Sequence, residues 1–529
     1  MGGVGGGSLL TSCYSDLGNY TYHDLDEVII DTVGTGIQPN YAIQRFDTLR
    51  LSPEVTFNGQ RVMTDSDAPL TYQWTIFSAA SGPGISNAID TLSHERCLNV
   101  PIMRTGGNYY VQLVVTNQRD GIRQFFRVSV TVSDAFDGGW MVFYERADRP
   151  GFSDLALVFN PWTKNDVTTD RFYANLYELT NGTPLQGKPI RCFDIAMSLG
   201  AFNYVGLCTD YTLVGVDDIS IEQVMAFNNF FNNTPARMAP SWYSHHGNGG
   251  VSGQCSEVLI NDNKIYTNTY LNSATGERES RFGIPKFDDG IGELAPWNAE
   301  LPNQLNYGII VYDQTHQCFR YCAFERAQME TFAAQSASAA FDINHTGMQL
   351  LMGDWGVGQQ RLQPYDYLLM SRGAERKLAV ANFSTSTPED THIGVALYDM
   401  TSLCPAVAEA TTMAASNVGS FIYYGAGDKV YLFAYDSGLP ATIAWQAPSA
   451  DEQVTCVRIM KYYNTIYSTS MLPSCDQLVH IATWSEQRHE GHLYEYLINT
   501  ASGDLDRTSS YDYVIPGRVK DMAWKFSMK

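Results

Sequence analysis

Apolar and polar positions alternate with a period of two in many short stretches of this chain, the pattern of strands that bury one face. In residues 71–77 the alternation puts Tyr72, Trp74 and Ile76 on one side. Residues 108–117 and 124–132 repeat it, with turn-forming residues between the stretches. A run of strands like this across residues 27–134 predicts an immunoglobulin-like β-sandwich, with Trp74 filling its core from a central strand. No pair of cysteines brackets Trp74, so a disulfide-pinned immunoglobulin domain is excluded.

From residue 138 to 529 the cadence changes to pairs of apolar strands joined by tight turns. The pairs are 140–144 with 154–159, 204–208 with 211–216, 256–260 with 264–270, 307–312 with 318–324, 367–370 with 377–383, 421–424 with 429–435, and 478–484 with 491–498. Their spacing is roughly 56 residues, a little above the 40–50 of a typical propeller blade. The expected fold is therefore all-β, a sandwich followed by a six- to eight-bladed β-propeller with long loops. The clearest unit is 420–435, where Gly425-Ala426-Gly427-Asp428 supplies a turn between two strands. Helix is scarce; 221–232 and 326–340 are the two stretches expected to form short helices within blade insertions. Residues 1–26 are polar and tyrosine-rich beyond Cys13 and read as an anchor and tether.

Composition supports a folded chain and narrows its partners. Of 529 residues 44% are apolar and 17% charged, which excludes general disorder. The net charge of −22, with no cluster of Lys and Arg, excludes nucleic acid as a partner. No apolar run reaches the roughly 20 residues a membrane-spanning helix needs. The ten cysteines form no CxxC pair and frame no zinc site. Cys318 and Cys322 read as core residues, and one or two disulfides between strands remain open.

Candidate chemistry is sparse. Trp242-Tyr243-Ser244-His245-His246, followed by a glycine-rich stretch, offers aromatics and imidazoles for ligand contact. Adjacent histidines in an extended chain point opposite ways and do not readily share a metal, so no metal site is assigned. Phe287-Asp288-Asp289-Gly290 reads as a surface turn, with Ca²⁺ binding as its alternative and otherwise no cofactor. Residues 353–358 are glycine-rich but lack the Gly-Lys-Ser/Thr ending of a phosphate loop, and read as a strand connection carrying Trp355. Residues 488–492 imitate a zinc motif but fall at a hairpin tip. Trp242, Tyr243, Trp297 and Trp355 stand in turn-rich stretches; ligand stacking and core packing are both open to them. No nucleophile elbow or His-Glu-x-x-His occurs, and no catalytic residue is assigned. A propeller-type glycan-active hydrolase or lyase is the alternative, because acidic residues can converge from separate blades.

Tyr72-x-Trp74, then Gly107-x-Tyr109-x-Val111-x-Leu113-x-Val115-Thr116-Asn117 and Gly121, resembles the polycystic-kidney-disease-type (PKD) domain. It departs from that pattern at 78–83, where Ser-Ala-Ala-Ser-Gly-Pro replaces a Gly-Asp turn. Leu10-Thr11-Ser12-Cys13 reads as a bacterial lipobox. Cys13-Tyr-x-Asp-x-Gly-Asn-Tyr20 is similar to the mature start of the PKD-like lipoproteins of Gram-negative bacteria. This resemblance implies lipidation of Cys13 and an outer-membrane location facing the cell exterior. It also implies partnership with a TonB-dependent transporter and its substrate-binding lipoprotein. The expected function is capture of a polysaccharide or peptide, or scaffolding of that uptake complex.

Overall fold

The computed structural model describes residues 26–64, 66–80, 88–133, 136–165, 167–196, 203–247, 255–268, 281–286, 290–300, 309–322, 326–360, 363–461 and 472–525. The chain divides into two compact units, Met1–Ala135 and Phe136–Lys529.

The first unit is a β-sandwich. Its larger sheet runs in the order Asn40–Gln44, Arg123–Ser133, Gly107–Asn117, Leu70–Ser78 and Asp90–Ser93. Register follows the alternation: Trp74 pairs with Leu113, and Ile76 with Val111, so the apolar sides coincide. Val28–Asp31, Glu54–Phe57 and Gln60–Arg61 form a second sheet, and Thr48–Leu51 pairs with Leu98–Pro101. Trp74 is fully buried among Leu51, Val55, Leu98 and Leu113. Its indole nitrogen donates to the Glu95 carbonyl at 3.1 Å, which removes the cost of burying that polar group.

The described residues of the second unit form seven antiparallel sheets in chain order. Each of the seven strand pairs read from the sequence falls in a different one of them. The innermost strands are Gly517–Lys525, Pro189–Ala196, Pro240–Gly247, Leu294–Asn298, Gln349–Gln360, Thr412–Ala415 and Glu452–Ile459. Successive innermost strands pack against one another, and Gly517–Lys525 packs against both Pro189–Ala196 and Glu452–Ile459. That cyclic neighbourhood is the propeller arrangement. The last strand also completes the first sheet: Trp524 lies opposite Trp140, and Asp521 opposite Phe143. Apolar clusters lie between neighbouring sheets, including one between the first and the seventh built on Trp140, Leu478, Tyr513 and Trp524. Burial on both faces explains why strands such as Leu478–Ser485 are buried at every position.

Both expected helices are corrected. Residues 223–225 are a strand, and Phe227–Phe230 is a short 3₁₀ turn that buries Phe227 and Phe230. Residues 326–340 look helical by their alanines, yet form no helix. Their backbone donors are taken by another segment: Ala333 N–H donates to Pro388 and Ser336 N–H to Thr391, both at 2.8 Å. The one α-helix among the described residues is Leu176–Asn181. The glycine-rich stretch 353–358 is likewise no connection but lies within an innermost strand. A Cβ at Gly353 would meet the Trp297 indole nitrogen at 2.6 Å, and one at Gly356 the Ser416 carbonyl at 2.6 Å. Glycine is needed there because neighbouring sheets approach so closely. No disulfide joins Cys97, Cys192, Cys208, Cys318, Cys322, Cys404, Cys456 and Cys475 to one another.

Candidate functional site

Several of the innermost strands carry charged residues among apolar ones. Arg191, Arg458 and Asp521 come from three such strands, and Asp354 from a fourth. Glu300 stands two residues past a fifth, Leu294–Asn298, and Lys461 two residues past Glu452–Ile459, the strand of Arg458. The cyclic packing brings these groups together as a buried polar layer. Arg191 donates two bonds to the Glu300 carboxylate, at 2.7 and 3.1 Å, and a third to Asp521 at 3.0 Å. Arg458 donates to the other oxygen of Asp521 at 2.7 and 3.1 Å. The Cys192 backbone N–H completes the set on Asp521 at 3.1 Å. On the far side Lys461 donates to Asp354 at 2.5 Å and to the Trp355 carbonyl.

Burial moves the protonation equilibria of this layer. It pushes the Glu300 carboxyl up, against the pull of Arg191, and it pulls Lys461 down, against Asp354. For Arg191 burial also opposes charge, but Glu300 and Asp521 outweigh it and the guanidinium is held more firmly protonated. Asp366 lies one strand outward, 1% exposed, with one carboxyl oxygen that has no partner among the described residues. Burial, then the negative charges of Glu300 and Asp354, push its carboxyl well above the ordinary range. Besides Asp366, the layer sets Arg191, Arg458 and Lys461 against Glu300, Asp521 and Asp354. Both oxygens of Glu300 and both of Asp521 are occupied by guanidinium donors, a bonding pattern that fixes geometry rather than leaving a base free for proton transfer.

Next to this layer is a cleft of about 660 Å³, lined by Val357, Gln359, Asn417, Val418, Pro473, Asp476 and Gln477 among others. It opens beyond the C-terminal ends of the innermost strands Gln349–Gln360 and Thr412–Ala415. Asn417 is 7% exposed; its amide nitrogen donates to Asp476 at 3.3 Å while its carbonyl oxygen has no partner among the described residues. Burying an amide oxygen without a partner costs about 1–3 kcal/mol. The cleft size falls in the range of small-molecule sites.

The four aromatics singled out from the sequence, Trp242, Tyr243, Trp297 and Trp355, do not line this cleft. Trp242 is half-buried; Arg191 stacks on it at 4.3 Å, and its indole donates to Asn298 at 2.7 Å. Tyr243 is fully buried and donates to Glu257 at 2.8 Å. Trp297 and Trp355 are 4% and 8% exposed. The expected loop placement of these four aromatics is corrected: all stand on innermost strands, where adjacent sheets close over alternate side chains. Trp355 instead supports the polar layer, with the Lys461 ammonium 4.6 Å from its ring. The side chains of His245 and His246, residues 287–289 and Cys13 lie outside the described residues. Among the described residues no group of three His, Cys, Asp or Glu is placed to hold a metal. His492 is held by Glu490 and Asp512 at 3.0 and 3.2 Å.

Comparison with known proteins adds a family match to the first third of the chain. Residues 13–189 match the model of the PKD-like family. The match runs past the first unit, through the first propeller sheet and up to the start of the strand that carries Arg191. No curated protein matches the sequence. Among solved structures, a quinonprotein alcohol dehydrogenase-like protein from Bacteroides thetaiotaomicron is 13% identical, with 93% of this chain and 98% of that chain covered and a TM-score of 0.40. The dihydro-heme d1 dehydrogenase NirN is 10% identical, with coverage of 89% and 79% and a TM-score of 0.36. PorZ, a surface component of the type-IX secretion system of Porphyromonas gingivalis, is 9% identical, with coverage of 90% and 81% and a TM-score of 0.32.

Proposed function

We propose that this protein is a lipid-anchored, outer-membrane binding protein that captures a glycan in the cleft beside Asn417. In this reading it works with a TonB-dependent transporter and its partner lipoprotein, and Cys13 carries the lipid. The polar lining of that cleft, with an Asn417 carbonyl oxygen that has no partner among the described residues, is the observation that carries the binding role. Around it, Gln359, Gln477 and Asp476 provide donors and acceptors suited to sugar hydroxyls. Val357, Val418 and Pro473 provide apolar surface for a ring face. The ion-paired layer behind the cleft suits a rigid floor, and rigidity limits the entropy lost on binding.

The test is a glycan array probed with the full chain, followed by titration of the best ligand. Asn417→Ala and Gln477→Ala should each weaken binding about tenfold, equivalent to about 1.4 kcal/mol. Trp297→Ala should act through stability, because its ring is packed between sheets. Absence of any glycan binding, or full affinity in both cleft variants, would overturn the site. Release of reducing ends from a polysaccharide by the pure protein would favour the hydrolase reading instead.

A further inference from the structure

A second cleft, of about 540 Å³, is lined by the N-terminal ends of Pro189–Ala196, Glu452–Ile459 and Gly517–Lys525. The Asn417 cleft lies past the C-terminal end of Thr412–Ala415, whereas Thr411, just before that strand, lines this one. The two clefts therefore occupy opposite ends of the innermost strands.

The chemistry of this second cleft differs from the rest of the molecule. The chain has 34 Lys and Arg against 56 Asp and Glu, so cations are the minority. Lys188, Arg518 and Lys520 nevertheless line one cleft, and all three are exposed. Among the described residues none of their side chains has an ion pair or hydrogen-bond partner. By contrast Arg191 and Arg458, further along two of the same strands' neighbourhoods, are both paired. The two carboxylates at the cleft are partly spent: Glu145 accepts the Gly151 N–H at 3.0 Å, and Asp210 accepts the Lys188 N–H at 2.8 Å. The backbone is irregular at the same place. Val519 lies opposite Tyr144 and Asp521 opposite Phe143, so Lys520 is the extra residue of a bulge. Bulges re-aim side chains and are frequent beside binding sites.

We infer that this cleft binds an acidic saccharide, with Arg518, Lys520 and Lys188 receiving its carboxylate or sulfate groups. Arg518 offers the planar fork that matches such an anion, and the two lysines add point charges. The half-buried Ile190 supplies apolar surface for a sugar ring. At the cleft the three cations exceed the two carboxylates Glu145 and Asp210 by one positive charge, and charges beyond a screening length of about 8 Å count for little. The inference is independent of the Asn417 cleft and of lipid anchoring.

The experiment is calorimetric titration of the full chain with tri-galacturonate, a sulfated disaccharide and the neutral trisaccharide maltotriose, each at low and high salt. Binding of at least one acidic saccharide, tenfold or more above maltotriose and weakened by salt, is expected. Arg518→Ala and the triple alanine variant at 188, 518 and 520 should lose at least tenfold, with unchanged circular dichroism and thermal midpoint. Arg518→Lys should recover part of the loss. Asn417→Ala should leave acidic-saccharide binding intact, so failure at one cleft is distinguishable from failure at the other. The inference is overturned if the wild-type protein binds neither acidic saccharide, if the triple variant binds as well as wild type, or if inorganic sulfate competes at equal affinity.

Discussion

Asp521 is the keystone of the buried layer, and its removal is a quantitative test of the propeller arrangement. It is 1% exposed and accepts one bond from Arg191, two from Arg458 and one from the Cys192 N–H. Removing one partner of a buried ion pair costs about 3–5 kcal/mol, because a desolvated charge is left behind. Two features place Asp521→Ala at the lower end. Arg191 keeps both its bonds to Glu300, and the Arg458 side chain is 27% exposed, so water reaches it. The expected loss is about 3 kcal/mol, with Asp521→Asn losing about half as much because its amide oxygen still accepts. Urea unfolding followed by tryptophan fluorescence measures this, provided the slope of the transition is unchanged. Arg458→Met combined with Asp521→Ala should cost less than the two single changes together, by about 1 kcal/mol or more. A loss below about 1 kcal/mol for Asp521→Ala, or strict additivity of the pair, would refute the reasoning.

Two further outcomes follow from buried groups away from the clefts. Burial pushes the Asp154 carboxyl up to about 6, despite its backbone hydrogen bonds and Arg146. A raised folded-state value means the stabilising contribution is complete below about pH 4 and is lost as pH rises through about 6. Relative to wild type, Asp154→Asn should therefore gain about 2 kcal/mol between pH 4.5 and 7.5 in urea unfolding, out of about 3 kcal/mol over the whole titration; parallel profiles would contradict this. Gly206→Ala would drive a methyl into the hydroxyl and ring of Tyr243, which is fully buried and bonded to Glu257. Overpacking of that kind costs about 1–3 kcal/mol, measurable as a lower thermal midpoint, and Tyr243→Phe in the same chain should recover part of it.

Period-two alternation and hairpin spacing are local properties, and they were enough to read the fold class. Trp74 was legible as core because Tyr72 and Ile76 repeat its character at the right interval. The seven strand pairs were legible because each joins residues close in sequence. The stretches 221–232 and 326–340 were misread because helix propensity is a weak local preference. Backbone partners at Pro388 and Thr391 override it in the second stretch, and burial of Phe227 and Phe230 accompanies a different backbone in the first.

The polar layer was not legible in its partners. Arg191 and Asp521 are 330 residues apart, and Asn160 reaches Glu495 across 335. A lone charge between apolar neighbours, as at Ile190-Arg191-Cys192 or Val457-Arg458-Ile459, signals that a buried partner is required but not which one. Cyclic packing of the innermost strands makes that choice, because it alone fixes which strand ends meet. The same packing buried Trp297 and Trp355, left Asn417 facing a cleft, and gathered Lys188 with Arg518 and Lys520. The sequence by itself determined the strands, their pairing within hairpins and the division into sandwich and propeller. Only the tertiary structure decided which charges neutralise one another and which remain for a ligand, because that depends on contacts between residues hundreds of positions apart.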